Sequence, residues 1–111
     1  LHLGEPWTVT LYWQVRRALD RDYRVFVHLQ DLQTGAVVAQ SDGTPGTGSY
    51  PTSLWMEGEV VTDPHTLTLP PDLQMTSYAV NVGLYVPMTG SYLAVEGERS
   101  LRLIEKIQAE P

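Results

Sequence analysis

The stretch Trp7-Thr8-Val9-Thr10-Leu11-Tyr12-Trp13-Gln14-Val15 sets Trp7, Val9, Leu11, Trp13 and Val15 at alternate positions and Thr8, Thr10, Tyr12 and Gln14 between them. Successive side chains of a strand point to opposite faces, so this spacing predicts a strand with one face in a core. The same parity returns at Tyr78, Val80, Val82, Leu84 and Val86, with Ala79, Asn81, Gly83 and Tyr85 between them. In Tyr23 to Gln30, the row Tyr23, Val25, Val27, Leu29 is wholly apolar and the opposite row, Arg24, Phe26 and His28, is partly so. A strand apolar on both faces belongs in the middle of a sheet. No stretch as long as a stable helix holds a 3.6-residue period, whereas seven or eight short strands recur between turn signals. That pattern predicts an all-β fold, an antiparallel β-sandwich.

Turn chemistry sets the connections. Asp31-Leu32-Gln33-Thr34-Gly35 predicts a hairpin turn with Gly35 at positive φ, and Ala36 to Gln40 is the returning arm. Pro87-Met88-Thr89-Gly90 predicts a second hairpin into Ser91 to Val95. Proline cannot donate to a central ladder, so Asp63-Pro64 is expected to separate two short strands, Glu59 to Thr62 and His65 to Leu69. The segment Leu101 to Ile107 alternates weakly and fits either an edge strand or a short helix. Asp42 to Gly58 carries four Gly and two Pro among Ser, Thr, Tyr50 and Trp55, which predicts one long loop. Loops of this length are uncommon and often have a task.

Composition narrows the function classes. With 111 residues the chain has room for a single domain, 1–111, and 42% hydrophobic residues suffice to fill its core. There is no Cys, so packing and not disulfides or thiolate-bound metal must hold the fold. Thirteen acidic residues against seven Lys plus Arg give a net charge of -6, which leaves no broad positive surface for nucleic acid. No apolar run approaches the roughly 20 residues that span a bilayer, and the chain reads as a soluble piece of something longer.

Leu69-Pro70-Pro71-Asp72-Leu73 followed by Tyr78 at the head of a strand has the form of a tyrosine corner, in which the phenol oxygen bonds backbone a few residues upstream. With Trp13 as a core anchor, the pattern resembles an immunoglobulin or fibronectin type III sandwich lacking its disulfide. A second resemblance rests on an ordered set of motifs: Val25-Phe26-Val27-His28-Leu29, Ala39-Gln40-Ser41-Asp42-Gly43, Gly48-Ser49-Tyr50-Pro51-Thr52-Ser53-Leu54-Trp55, Gly58-Glu59 and Val82-Gly83-Leu84-Tyr85. Over about residues 7 to 95 the chain resembles the soluble C-terminal domain of bacterial multi-spanning glycosyltransferases of the dolichyl-phosphate-mannose mannosyltransferase type. The resemblance implies an extracytoplasmic domain tethered to the membrane through its parent. It implies partners in the membrane-embedded part of that parent or in the envelope, and no catalytic residue or cofactor of its own.

The residues themselves suggest several sites. His2, His28 and His65 lie too far apart in sequence for a zinc-ligand spacing, and His28 reads as a half-buried strand histidine. Asp31, Asp42, Glu57, Glu59 and Asp63 fall at or near strand ends, where oxygen ligands for calcium gather, although such residues more often serve turns. Glu57 and Glu59 are a pair of carboxylates without a sign of burial, so a glycosidase is not supported. Tyr12, Phe26, His28, Asn81 and Tyr85 are expected to share the face opposite Trp13, Val27 and Val82, with Tyr50 and Trp55 brought to it by the long loop. Such a platform would stack on sugar rings, making Tyr12, His28, Tyr50, Trp55 and Tyr85 the candidates for contact with carbohydrate or a partner. The plainer alternative, which the scarcity of exposed apolar patches favours, is that the loop folds down into a second small core. On that reading Trp55 packs beside His28 or Gly83.

Overall fold

The computed structural model describes residues 5–46, 48–73, 77–93 and 101–108. Most of them lie in strands: β1 (Pro6–Gln14), β2 (Arg24–Asp31), β3 (Val37–Gly43), β4 (Val60–Thr68), β5 (Ser77–Tyr85), β6 (Tyr92–Leu93) and β7 (Leu101–Gln108). They form two antiparallel sheets, β1–β4 and β3–β2–β5, with β6 and β7 both on β5. Because β2 occupies one edge of β5 along its length, β6 and β7 share the other: β6 faces Leu84 and Tyr85, and β7 faces Ser77 to Val82. The segment Leu101 to Gln108 is therefore a strand and not a helix.

The alternating rows close the core. Leu11, Leu67 and Leu69 from the first sheet and its exit meet Val25, Val27, Leu29, Tyr78, Val80, Val82 and Leu84 from the second, all buried in one cluster. β2 is a central strand, as its two apolar rows require, lying between β3 and β5. Phe26, on the outer row of that strand, is nevertheless 5% exposed and stands opposite Gly83 in the register. Trp13, expected to be almost wholly buried, is only half-buried, since its indole lies between the main core and a second cluster. Tyr78 is fully buried at the head of β5, and the chain between β4 and β5 crosses from one sheet to the other.

The turn after β2 forms as its residues dictate. The Asp31 side chain accepts the Gln33 N–H at 2.7 Å, the Gly35 N–H bonds back to the Asp31 carbonyl at 2.8 Å, and Gly35 takes φ +79°. One prediction fails at Pro64. β4 runs unbroken from Val60 to Thr68, with Pro64 opposite Thr10. The two-stranded sheet explains why: a strand paired on one side has alternate N–H groups that no ladder uses, so a proline there costs no bond. The long connection also starts later than expected, since β3 continues through Gly43, and it contains a 3-10 turn, Thr52–Leu54.

A buried polar brace and a dispersed aromatic set

Because β4 is continuous, Val61, Asp63, His65, Leu67 and Leu69 are all inward positions. Two of them are polar, and Asp63 is 0% exposed. A carboxylate without partners there would be costly. Oδ1 of Asp63 accepts the Gly46 N–H at 2.9 Å, while Oδ2 accepts the Trp13 indole N–H at 3.1 Å and faces His65 Nε2 at 2.7 Å. As a carboxylate Asp63 only accepts, which makes Nε2 the donor and leaves Nδ1 facing the Ser41 hydroxyl at 3.2 Å. The network joins β1, β3, β4 and the long loop. Among the described residues no buried side-chain nitrogen or oxygen lacks a partner.

Hydroxyl, imidazole and carboxylate in sequence is also how hydrolases activate a serine. Here Ser41, His65 and Thr66 line a shallow groove of about 260 Å³ beside Gly43, Thr44 and Gly48. Ser41 lies on β3 opposite Val27, on the row that faces inward, and both oxygens of Asp63 are already engaged with the fold. The arrangement works as a cross-brace between the sheets.

The predicted contact residues do not assemble. Tyr12 is 69% exposed on the outer row of β1, beside Thr62, while His28 and Tyr85 lie on the outer row of the other sheet. Trp55 reaches neither. It is 5% exposed and packs with Val15 and Val61, with Trp13, Leu19 and Tyr50 around them; the Trp13 and Trp55 ring centroids are 6.3 Å apart. The loop thus makes a second small core, as the plainer reading holds, but against β1 and β4 and not beside His28 or Gly83. Its anchors are specific: the Trp55 indole donates to the Tyr50 carbonyl at 3.1 Å, and the buried Thr52 hydroxyl donates to the Arg21 carbonyl at 2.8 Å. Glu59 Oε1 accepts the Met56 N–H and the Tyr50 hydroxyl, each at 2.7 Å, and these bonds, the Met56 N–H foremost, hold the Glu59 carboxyl below its ordinary range.

On the second sheet, the Phe26 and His28 rings lie 4.7 Å apart, and Asp42 accepts the Tyr85 hydroxyl at 3.2 Å with His28 Nε2 3.8 Å away. Burial pushes the His28 imidazole below its usual value, against the pull of Asp42. The acidic residues considered for calcium are likewise spread out: Asp31 holds a turn, Asp42 meets His28 and Tyr85, Glu59 holds the loop and Asp63 braces the core. Among the described residues no group of three or more His, Asp or Glu could hold a metal ion, and no helix is long and apolar enough to cross a membrane.

No family model matches this chain, and neither a curated protein nor a solved structure is significantly similar to it.

Sequence reading missed the brace altogether. Its signal was present: Val61, Asp63, His65, Leu67 and Leu69 keep strict alternation through Pro64, and only the weight given to the proline hid it.

Proposed function

We propose that the chain is a non-catalytic, extracytoplasmic accessory domain of a bacterial membrane glycosyltransferase, built as an immunoglobulin-type sandwich and engaging the membrane part of its parent or an envelope partner. The observation that carries the non-catalytic reading is the brace. Ser41, His65 and Asp63, the one reactive-looking trio noted above, are spent on joining the two sheets, and Trp55 is spent on the loop. The sandwich reading is supported by strand order: β1–β4 corresponds to strands B and E, and β3–β2–β5 with β6 and β7 corresponds to C′, C, F and a divided G. The glycosyltransferase context rests on the ordered motifs between Val25 and Tyr85.

Two measurements test it. The isolated chain is expected to turn over neither aryl esters nor aryl glycosides, and Ser41 is expected to stay unlabelled by a fluorophosphonate probe. In membranes containing the parent, a photocrosslinker at the fully exposed Met88 or at Leu54 is expected to reach the membrane part or an envelope protein. Labelling of Ser41 with ester turnover overturns the non-catalytic reading. Loss of the domain without effect on the parent's stability, location or activity overturns the accessory one.

A further inference from the structure

The outer face of the β1–β4 sheet has a chemistry of its own. Its ten positions are the outward residues of the continuous register from Pro6↔Thr68 to Gln14↔Val60, and nine of them are exposed. Half are threonines: Thr8, Thr10, Thr62, Thr66 and Thr68. Tyr12 rises from among them at 69% exposure, and none of the ten bears a charge. Charge resumes immediately outside, at Glu5 and Arg16 around β1 and at Glu59 before β4. The register has no bulge, so Thr8 and Thr10 on β1 and Thr66 and Thr68 on β4 form two short rows, each with a spacing of about 7 Å, that meet across the Thr8↔Thr66 pair, with Thr62 standing opposite Tyr12 beyond Pro64. Thr8 and Thr66 are close enough to share a hydrogen bond of 2.9 Å. The threonines run from the Pro6↔Thr68 pair to the Tyr12↔Thr62 pair, a length of roughly 20 Å.

From this we propose that the outer face of β1–β4 binds a neutral polysaccharide, with Tyr12 stacking on a sugar ring and the threonine rows hydrogen-bonding its hydroxyls. The chemistry selects this occupant. A face without a cation, on a chain of net charge -6, offers nothing to a phosphate, a uronic acid or a nucleic acid. A protein partner draws its affinity from a desolvated apolar centre, and the large apolar groups here are Tyr12 and Val60 alone, surrounded by hydroxyls. A long, uncharged ligand rich in hydroxyls, with apolar ring faces for one aromatic, fits both the length and the composition. The proposal moves sugar contact away from His28, Tyr85 and Trp55, and it stands without the glycosyltransferase context.

Depletion of the 111-residue chain from solution by insoluble mannan, β-1,3-glucan and cellulose, with covalently cross-linked, calcium-free alginate beads as the acidic comparison, tests it. Retention on at least one neutral polymer and none on alginate is expected. Tyr12→Ala should weaken retention at least tenfold, and Tyr12→Phe should keep it, because the ring and not the hydroxyl stacks. Thr62→Lys should weaken it as well. Tyr12 belongs to neither apolar cluster, so the melting temperature of Tyr12→Ala should match the parent chain. Failure of all three neutral polymers, or equal retention of Tyr12→Ala, overturns the proposal. So does sedimentation showing a dimer that Tyr12→Ala dissolves, which would make the face a self-interface.

Discussion

Asp63 is the residue on which the buried polar network depends. Replacing it with Ala leaves the Trp13 indole, the Gly46 N–H and His65 without an acceptor at once. Unsatisfied buried groups cost about 1–3 kcal/mol each, so Asp63→Ala should lose at least about 3 kcal/mol in urea unfolding; a loss under 1 kcal/mol would mean that water replaces the carboxylate easily. His28 yields a prediction in pH. Its side chain is 29% exposed, and its burial favours the neutral form. With the folded value below the unfolded 6.5, the stabilisation is complete above that pH and is lost as the pH falls through the window beneath it. The urea midpoint of the native chain should therefore fall between about pH 7.5 and 5.5 more than that of His28→Gln, and equal falls would remove the role assigned to burial.

At the scale of elements, the strands were legible and their partners were not. Alternation within Trp7 to Val15 and Tyr78 to Val86 tells which residues share a face of one strand. It cannot tell that β1 joins β4 while β2 joins β5, and so alternation alone puts Tyr12 with Tyr85 although they belong to different sheets. The long loop shows the same limit. Tyr50 and Trp55 were readable as its anchors because nothing else in it is large and apolar enough, but their seat against Val15 and Val61 depends on where the sheets put those residues. Removing the buried indole by Trp55→Ala should cost roughly 3–5 kcal/mol while leaving the Tyr12 face intact, and chemical denaturation reads it directly. The loop also turns through Gly46 at φ +67°, where an added Cβ would meet Tyr50 Cβ at 2.8 Å. Gly46→Ala combines left-handed backbone with that clash, so a loss of about 1–3 kcal/mol is expected in the same assay, and an unchanged midpoint would show the loop able to shift.

Across the whole molecule, the two sheets are unequal in backbone pairing though they share a core. β2 and β5 have neighbours on both sides, so both directions of their N–H and C=O groups are used along most of their length. β1 and β4 pair only with each other among the described residues, and every second amide in each points away from the partner. A long edge without charge, such as β1 from Pro6 to Gln14, is one that other strands can extend, and its first residue, a proline, protects only one end. Native-state hydrogen exchange should then show continuous protection along Val25 to Leu29 and Val80 to Leu84, and alternating fast and slow amides along Thr8 to Gln14. The slow amides of β1 should exchange together with those of β5, because Leu11 is buried in the same cluster as Val80 and Val82 and the sheets can only open as one. Uniform protection along β1 would show its outer edge occupied by another strand, and early exchange of all β1 and β4 amides would show the small sheet opening by itself, against the brace at Asp63.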